Sequence, residues 1–179
     1  MLSIEKCVLP PQALLAKYSL NGMYADSYRT EIQGHISLSV YVFAFYTTAL
    51  FKIEQFILAH TARRPSSNDH QAKELADGAR NEFAAWQVES RSDNELLMRD
   101  MLGRTRSWFM VHHLGAEDAQ RTQLYFGSAV VPKKNQKTGK SSLGFVFQAL
   151  LGFHRIYSIL LLYFARLRVA RAHQQEINH

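Results

Sequence analysis

The spacing of apolar and polar residues changes several times along the chain, and each change predicts a different element. Residues 24–32 alternate with a period of two, which predicts a first β-strand that ends at Gly34. Between Ser37 and Ala59 an apolar residue recurs every three or four positions, which predicts a helical region with Ser37 as its N-cap. We expect Thr47 and Thr48 to divide this region into two short helices.

The middle of the chain predicts a series of antiparallel strands. A polar linker over residues 61–70 leads into a short predicted helix from Asp69 to Asn81. From Phe83 the period returns to two, and turn residues separate four segments of strand length. These segments cover residues 83–91, 95–102, 105–114 and 121–131. Because strands joined by such short turns pair as hairpins, the pattern predicts an antiparallel meander.

The last predicted element is a helix from Leu143 to Ala172. Its polar strip is narrow, and a helix that is apolar nearly all round is typically buried on most sides. A sheet that covers such a helix has to curve around it, and the smaller helices then close the other end of the groove. The sequence therefore predicts an α+β fold in which a curved antiparallel sheet wraps a long C-terminal helix.

The length of 179 residues fits one domain with a sizeable core. Pro10 and Pro11 interrupt any early helix, so we expect residues 1–18 to be a loose N-terminal segment. Residues 132–142 are polar and basic and predict a mobile loop, while residues 173–179 predict a disordered tail.

The formal net charge of +6 permits attraction to phosphates, anionic lipids or acidic ligands. The basic residues are scattered along the chain, so the sequence predicts no specific nucleic-acid partner. The lysines of the 132–142 loop favour a solvated surface, with contact to an anionic membrane or an acidic partner as the alternative.

Cysteine use and hydropathy indicate the compartment. The single cysteine, Cys7, forms no internal disulfide and builds no Cys/His metal site, which fits a reducing cytoplasm. The N-terminal residues lack the pattern of a signal peptide, and we find no clear membrane-spanning segment. We therefore expect a cytoplasmic protein, with no metal and no cofactor.

Four stretches carry a resemblance to a known group of proteins. They are AFYTT at 44–48, NELLMRD at 94–100, RTRSW at 104–108 running into YFGSAVVP at 125–132, and LGFHRIY at 151–157. Their order resembles the helix-grip fold of the START/polyketide-cyclase-like (SRPBCC) superfamily, and more closely a bacterial family of unknown function within or near that group. The resemblance implies an apolar cavity between the sheet and the long helix, used to bind or convert hydrophobic ligands. We predict about five strands, fewer than a full helix-grip sheet has.

A cluster of charged residues lies on three successive predicted strands. Its members are Glu89, Arg91, Arg99, Asp100, Arg104 and Arg106. One interpretation is a cross-strand salt-bridge network on the outer face of the sheet. The other is that Arg106 or Arg99 points inward and holds the acidic group of a ligand. Asp100 shares a strand face with apolar residues and needs a partner, for which Arg106 is the first candidate.

Aromatic and histidine residues complete the candidate site. His154 lies at the flank of the apolar face of the long helix, near Tyr157, where it is either a hydrogen-bonded core residue or a polar group of the cavity. Trp86 and Trp108 are either core residues or cavity walls. The candidate cavity residues are therefore Trp86, Arg99, Asp100, Arg106, Trp108, His154 and Tyr157.

Three functions stay open at this point. The first is a binding protein for a small hydrophobic ligand, or for an amphipathic acidic one. The second is an enzyme of the cyclase, aromatase or hydrolase type with His154 or Asp100 as acid or base, although no activated pair has a diagnostic spacing. The third is an interaction protein that uses the long helix, for example in a homodimer, or the basic loop at a membrane surface.

Overall fold

The computed structural model describes residues 4–21, 23–53, 68–115, 121–131 and 145–177, and the side chains of the last helix over residues 156–172. The predicted basic loop at 132–142 and most of the predicted 61–70 linker lie outside the described residues. The prediction of a disordered tail over residues 173–179 is wrong for residues 173–177, because the last helix continues to residue 177 through glutamine and glutamate residues, which are good helix formers. Residues 178 and 179 lie outside the described residues.

A seven-stranded antiparallel sheet organises the molecule. Its strands are β1 (Glu5–Lys6), β2 (Tyr24–Gln33), β3 (Glu82–Phe83), β4 (Trp86–Arg91), β5 (Glu95–Asp100), β6 (Thr105–Leu114) and β7 (Arg121–Val130). The strand order is β1-β2-β7-β6-β5-β4-β3, so the predicted meander is confirmed and β7 pairs with β2 along ten residues. The strand β1 is additional to the prediction, because two residues are too few to show a period. The single strand predicted over 83–91 is wrong at its start, because a turn at residues 84–85, where Ala84 has a φ of 52°, divides it into β3 and β4.

Four helices are labelled here α1 (Ala16–Leu20), α2 (Leu38–Tyr46), α3 (Asp69–Ala76) and α4 (Phe145–Ile177). Their sequence signals are mostly confirmed. Ser37 caps α2 by accepting a hydrogen bond from the backbone N–H of Val40 (3.2 Å). The helix ends before Thr47, and Thr48 Oγ1 accepts from the N–H of Phe51 (3.2 Å) at the start of a second helical stretch over 49–53. The predicted break is therefore confirmed.

Helix α3 is shorter than the prediction of Asp69–Asn81. It begins with a capping box, in which Asn68 and Gln71 exchange side-chain and backbone hydrogen bonds. It stops at Ala76 because Gly78 takes a left-handed conformation with φ of 83°.

Helices α2, α3 and α4 share a core with one face of the sheet, which we call the inner face. The buried residues of this core include seven aromatic side chains, namely Tyr41, Phe45, Tyr46, Phe51, Phe83, Phe109 and Phe126. Helix α4 adds Leu161, Leu162, Ala165 and Val169, which recur every one to four positions on one side. Each large apolar side chain in such a core stabilises the fold by about 1.5–3 kcal/mol.

The burial of α4 differs from the expectation for a helix that is apolar nearly all round. Ile156, Leu160 and Phe164 are 61%, 40% and 42% exposed, so one stripe of the helix faces away from the core. A helical wheel counts apolar positions, whereas burial depends on how many elements pack against the helix. Here α2, β2 and β7 contact it from one side.

The opposite, outer face of the sheet is covered by residues 4–21, which we call the N-terminal strap. The sequence predicted a loose segment here, but Leu15 is fully buried and β1 extends the sheet beside β2. The strap and the outer face share a second core, formed by Ala13, Leu15, Ala16, Tyr18, Leu97, Trp108, Met110, Tyr125 and Ala129. The strap shows no repeated spacing of apolar residues. Its burial comes from contacts with residues that are distant in sequence, so the sequence pattern could not predict it.

One carboxylate on β5 ties the strap to the sheet. Glu95 Oε2 accepts a hydrogen bond from the backbone N–H of Leu14 (2.8 Å) and another from Trp108 Nε1 (2.6 Å). The buried indole N–H is thereby satisfied, as a tryptophan in a core requires.

A second carboxylate, Glu89, holds α1. The pairing of β4 with β5 shifts between Val88 and Ser90, so Glu89 is the extra residue of a β-bulge. Its Oε1 accepts from the Tyr18 hydroxyl (2.5 Å) and pairs with Lys17 Nζ (2.6 Å), and its Oε2 pairs with Arg106 Nε (2.5 Å). The guanidinium of Arg106 also lies over the Tyr18 ring, 4.9 Å from its centre.

The charges around Glu89 set its protonation. Burial alone would raise the pKa of Glu89, but the hydrogen bonds from Lys17 and Tyr18 and the charge of Arg106 lower it below its ordinary value. Burial and the bond to Glu89 raise the pKa of Tyr18, so its hydroxyl stays a donor at neutral pH.

We expect Glu89→Gln to lower the free energy of unfolding at pH 7 by about 1.5–3 kcal/mol, the range for hydrogen bonds to charged groups. Because the folded pKa of Glu89 lies below the unfolded one, its contribution is present above the ordinary glutamate pKa and is lost as the pH falls through the folded pKa. The difference between wild type and variant should therefore shrink in acid. Urea unfolding between pH 7 and pH 3 measures it.

Glu5→Gln is the matched control, because the Glu5–Arg29 pair is exposed on both sides and should contribute less than about 1 kcal/mol. An equal deficit of Glu89→Gln at pH 7 and pH 3 would contradict the assigned role of the Glu89 charge.

We expect Gly127→Ala to destabilise the protein by about 1–3 kcal/mol through overpacking. A Cβ at this position on β7 would lie 2.8 Å from Trp108 Cε3 and 2.9 Å from both the Asp26 carbonyl oxygen and Leu15 Cδ2. Thermal and urea unfolding measure the loss. In a double-mutant cycle with Trp108→Phe, part of the clash is relieved, so the combined loss should be smaller than the sum of the single losses. Strict additivity would count against this packing.

Candidate functional site

A cavity of about 210 Å³ lies on the inner face, between α2, the sheet and α4. Its apolar wall consists of Phe45, Tyr46, Phe51, Trp86, Phe126, Tyr157 and Leu161. Hydroxyl groups on Thr105, Ser107 and Ser158 complete the described lining, together with Arg106. The site is therefore mainly aromatic, with a polar side made of neutral groups.

The aromatic wall is fixed by packing among its own rings. Phe45 and Phe126 have ring centres 4.9 Å apart, and Tyr46 meets Phe51 edge to face at 4.8 Å. These residues come from α2, the following helical stretch and β7, so three segments of the chain hold the rings in place. Such a rigid wall favours a flat apolar occupant.

The polar side of the cavity comes from β6 and α4. Thr105 and Ser107 are alternate residues of β6, so both side chains face inward. Ser158 on α4 is 1% exposed, and its Oγ has no hydrogen-bond partner in the described part of the chain. A buried hydroxyl left without a partner costs about 1–3 kcal/mol, so this atom is a natural point of contact for an occupant.

Arg106 borders the cavity between Thr105 and Ser107, but its charged end lies elsewhere. Its guanidinium bonds Glu89, the Tyr18 hydroxyl and the Gly103 carbonyl (2.8 Å to the last) on the outer face. The interpretation in which Arg106 holds an acidic ligand is therefore not supported by the position of its side chain.

Asp100 does not pair with Arg106, and that part of the prediction is wrong. Asp100 Oδ1 accepts hydrogen bonds from the backbone N–H groups of Arg104 (2.6 Å) and Thr105 (2.9 Å) in the β5–β6 turn. Arg104 donates through its backbone here. A carboxylate at a strand end is satisfied more easily by turn N–H groups than by a side chain on the opposite face of the neighbouring strand.

The remaining charged residues separate rather than cluster. Arg99 is exposed and donates to Gln87 Oε1 (3.0 Å). Arg91 donates to the carbonyl groups of Leu75 (2.5 Å) and Ala76 (3.2 Å) at the end of α3. The predicted cross-strand network is thus reduced, within the described ranges, to the Glu89–Arg106 pair.

The aromatic candidates divide between the two faces. Trp86 and Tyr157 line the cavity, whereas Trp108 is fully buried in the outer core. His154 lies in α4, one helical turn before Ser158, and its side chain is outside the described residues. Of the seven predicted residues, the cavity therefore brings together Trp86 and Tyr157, with Arg106 at its border.

Asp26 is a polar feature of the inner face that the sequence reasoning missed. It is 5% exposed, and its carboxylate accepts from the hydroxyls of Ser128 (2.6 Å), Tyr24 (3.0 Å) and Tyr28 (3.4 Å). None of the described lysine, arginine or histidine side chains forms an ion pair with it. The available signal was its phase on β2, which it shares with the buried Tyr28.

The register connects Asp26 to the cavity. Asp26, Ser128 and Ser107 face one another across β2, β7 and β6, so three polar residues form a row on the inner face. Ser107 is the end of this row that reaches the cavity wall. The inner face is therefore polar along this row and aromatic around it.

Two absences among the described residues bear on the site. The described residues contain no group of three or more His, Cys, Asp or Glu side chains placed to hold a metal ion. Among the described helices, none has both the length and the apolar character needed to cross a membrane.

Comparison with known proteins adds no relative from which a function could be transferred. No model of a protein family, no curated protein and no solved structure matches this chain. The geometry of the cavity and the contacts around it therefore carry the functional argument.

Proposed function

We propose that this chain is a START-like helix-grip protein that binds a small hydrophobic ligand between the sheet and α4. The observation that carries the proposal is the aromatic cavity of about 210 Å³ on the inner face. In this proposal the sheet curves around α4, and the ligand replaces water in the space that the two elements leave between them.

The topology supports the proposal. An antiparallel sheet of seven strands packs against a C-terminal helix of 33 residues, which is the arrangement that a helix-grip fold requires. The short strand β1, and the division of the predicted 83–91 strand into β3 and β4, bring the sheet from five strands to seven.

The size of the cavity limits the ligand. A dry apolar cavity of about 150 Å³ is sufficient for benzene, whereas sites for drug-sized ligands have about 300–1,000 Å³. The space of about 210 Å³ therefore suits one ring with a small substituent. Burial of such a ring against aromatic walls provides the binding free energy, at roughly 25 cal/mol per Å² of apolar area.

Binding is favoured over catalysis by the position of one candidate residue. Asp100, the carboxylate proposed as acid or base, bonds the backbone of a hairpin turn. A general acid or base has to reach the reacting atom within hydrogen-bond distance.

We expect toluene to bind the wild-type protein and raise its melting temperature, because a ligand that binds the folded state alone stabilises it. Ser107→Leu places a larger side chain in the cavity and should weaken toluene binding by about tenfold or more, which corresponds to about 1.4 kcal/mol. Titration calorimetry and thermal unfolding with and without toluene measure both effects.

Ser90→Leu is the matched control, because Ser90 is a serine on β4 that does not line the cavity and is not fully buried. This variant should bind toluene as the wild type does. The proposal fails if toluene does not bind the wild type, or if both leucine variants bind it equally well.

A further inference from the structure

The chemistry of the cavity wall narrows the class of ligand. Ser158 Oγ is the group that a ligand would contact, because it is buried to 1% exposure at the wall and has no hydrogen-bond partner in the described part of the chain. A hydroxyl both donates and accepts, so an oxygen on the ligand satisfies it in either direction.

The described side chains of the wall disfavour an ionic ligand on energetic grounds. Of the described side chains that line the cavity, Arg106 is the one with a formal charge, and Glu89 neutralises it on the outer face. A carboxylate or ammonium group that left water for this cavity would lose its hydration and gain no described counter-charge. A neutral molecule avoids this cost.

The shape of the wall points to a ring. Six of the lining residues are aromatic, namely Phe45, Tyr46, Phe51, Trp86, Phe126 and Tyr157. Aromatic rings pack best against other rings in offset or edge-to-face arrangements, with centres about 4.5–7 Å apart. The rings around the cavity already show this geometry among themselves, as in the edge-to-face contact of Tyr46 with Phe51, whose ring centres lie 4.8 Å apart.

We infer that the ligand is an uncharged single-ring molecule that carries one hydrogen-bonding oxygen, such as a phenol, and that this oxygen bonds Ser158 Oγ. The inference rests on the proposed function, since it names the class of ligand for the same cavity. It favours a neutral group over the acidic group that the sequence left open as an alternative, because the guanidinium of Arg106 lies on the other face of β6.

Four probes with the same tolyl ring test the inference by titration calorimetry at pH 7. They are toluene, p-cresol, p-toluate and 4-methylbenzylamine, which present no polar group, a hydroxyl, an anion and a cation. We expect p-cresol to bind about three- to tenfold more tightly than toluene, the effect of one net hydrogen bond. The two charged probes should bind at least about tenfold more weakly than p-cresol.

Ser158→Ala should abolish the preference for p-cresol over toluene. This variant removes a hydroxyl without a described partner, so we expect it to fold, which circular dichroism checks. Ser27→Ala is the matched control, because Ser27 is equally buried (1%) but bonds the Cys7 carbonyl on the outer face. The control should keep the preference for p-cresol.

The outcomes separate the two proposals. If toluene does not bind the wild type, the proposed function fails and the inference fails with it. If toluene binds but a charged probe binds as tightly as p-cresol, or if Ser158→Ala keeps the preference for p-cresol, the proposed function stands and the inference is overturned.

Discussion

Strand β7 is buried on both of its faces, and this constraint shapes the rest of the molecule. Nine of its ten residues are buried, and it pairs along its whole length with β2 on one side and β6 on the other. A strand of this kind needs a packing layer above and below the sheet. The helices provide the inner layer and the N-terminal strap provides the outer one, with Leu15 of the strap close to Gly127 of β7.

The two layers divide the chemistry of the protein. Along β6, Arg106, Trp108 and Met110 face the strap, whereas Thr105, Ser107 and Phe109 face the helices. The charges of the outer set hold the strap through Glu89, and the neutral hydroxyls of the inner set line the cavity. The same alternation of side chains therefore separates the groups that stabilise the fold from those available to a ligand.

The long elements could be predicted because each repeats its period many times. Strands β2, β6 and β7 and the capped start of α2 at Ser37 lie close to the predicted bounds. The strap could not be predicted, because its burial depends on Trp108 and other residues about ninety positions away. A period of two shows that neighbouring side chains point to opposite faces of a strand, but it does not show which face packs against the helices. Trp108 and Arg106 therefore could not be assigned to the outer face from the sequence.

The β-bulge at Glu89 changes which face of the sheet Arg91 occupies, and a regular period of two could not predict that change. A regular β4 would place Arg91 on the same face as Glu89, as the sequence pattern indicates. The extra residue turns Arg91 inward, where it binds the carbonyl groups at the end of α3, and leaves Glu89 outward beside Arg106.

The pairing register also determines which side chains of β6 face the cavity. A shift of one residue in its pairing would exchange its outer and inner sets, and would bring Arg106 to the cavity in place of Ser107. The ten-residue pairing with β7, fixed on its outer side by Trp108 packed against Gly127, opposes that shift. The neutral character of the cavity therefore depends on the packing of the opposite face of the sheet.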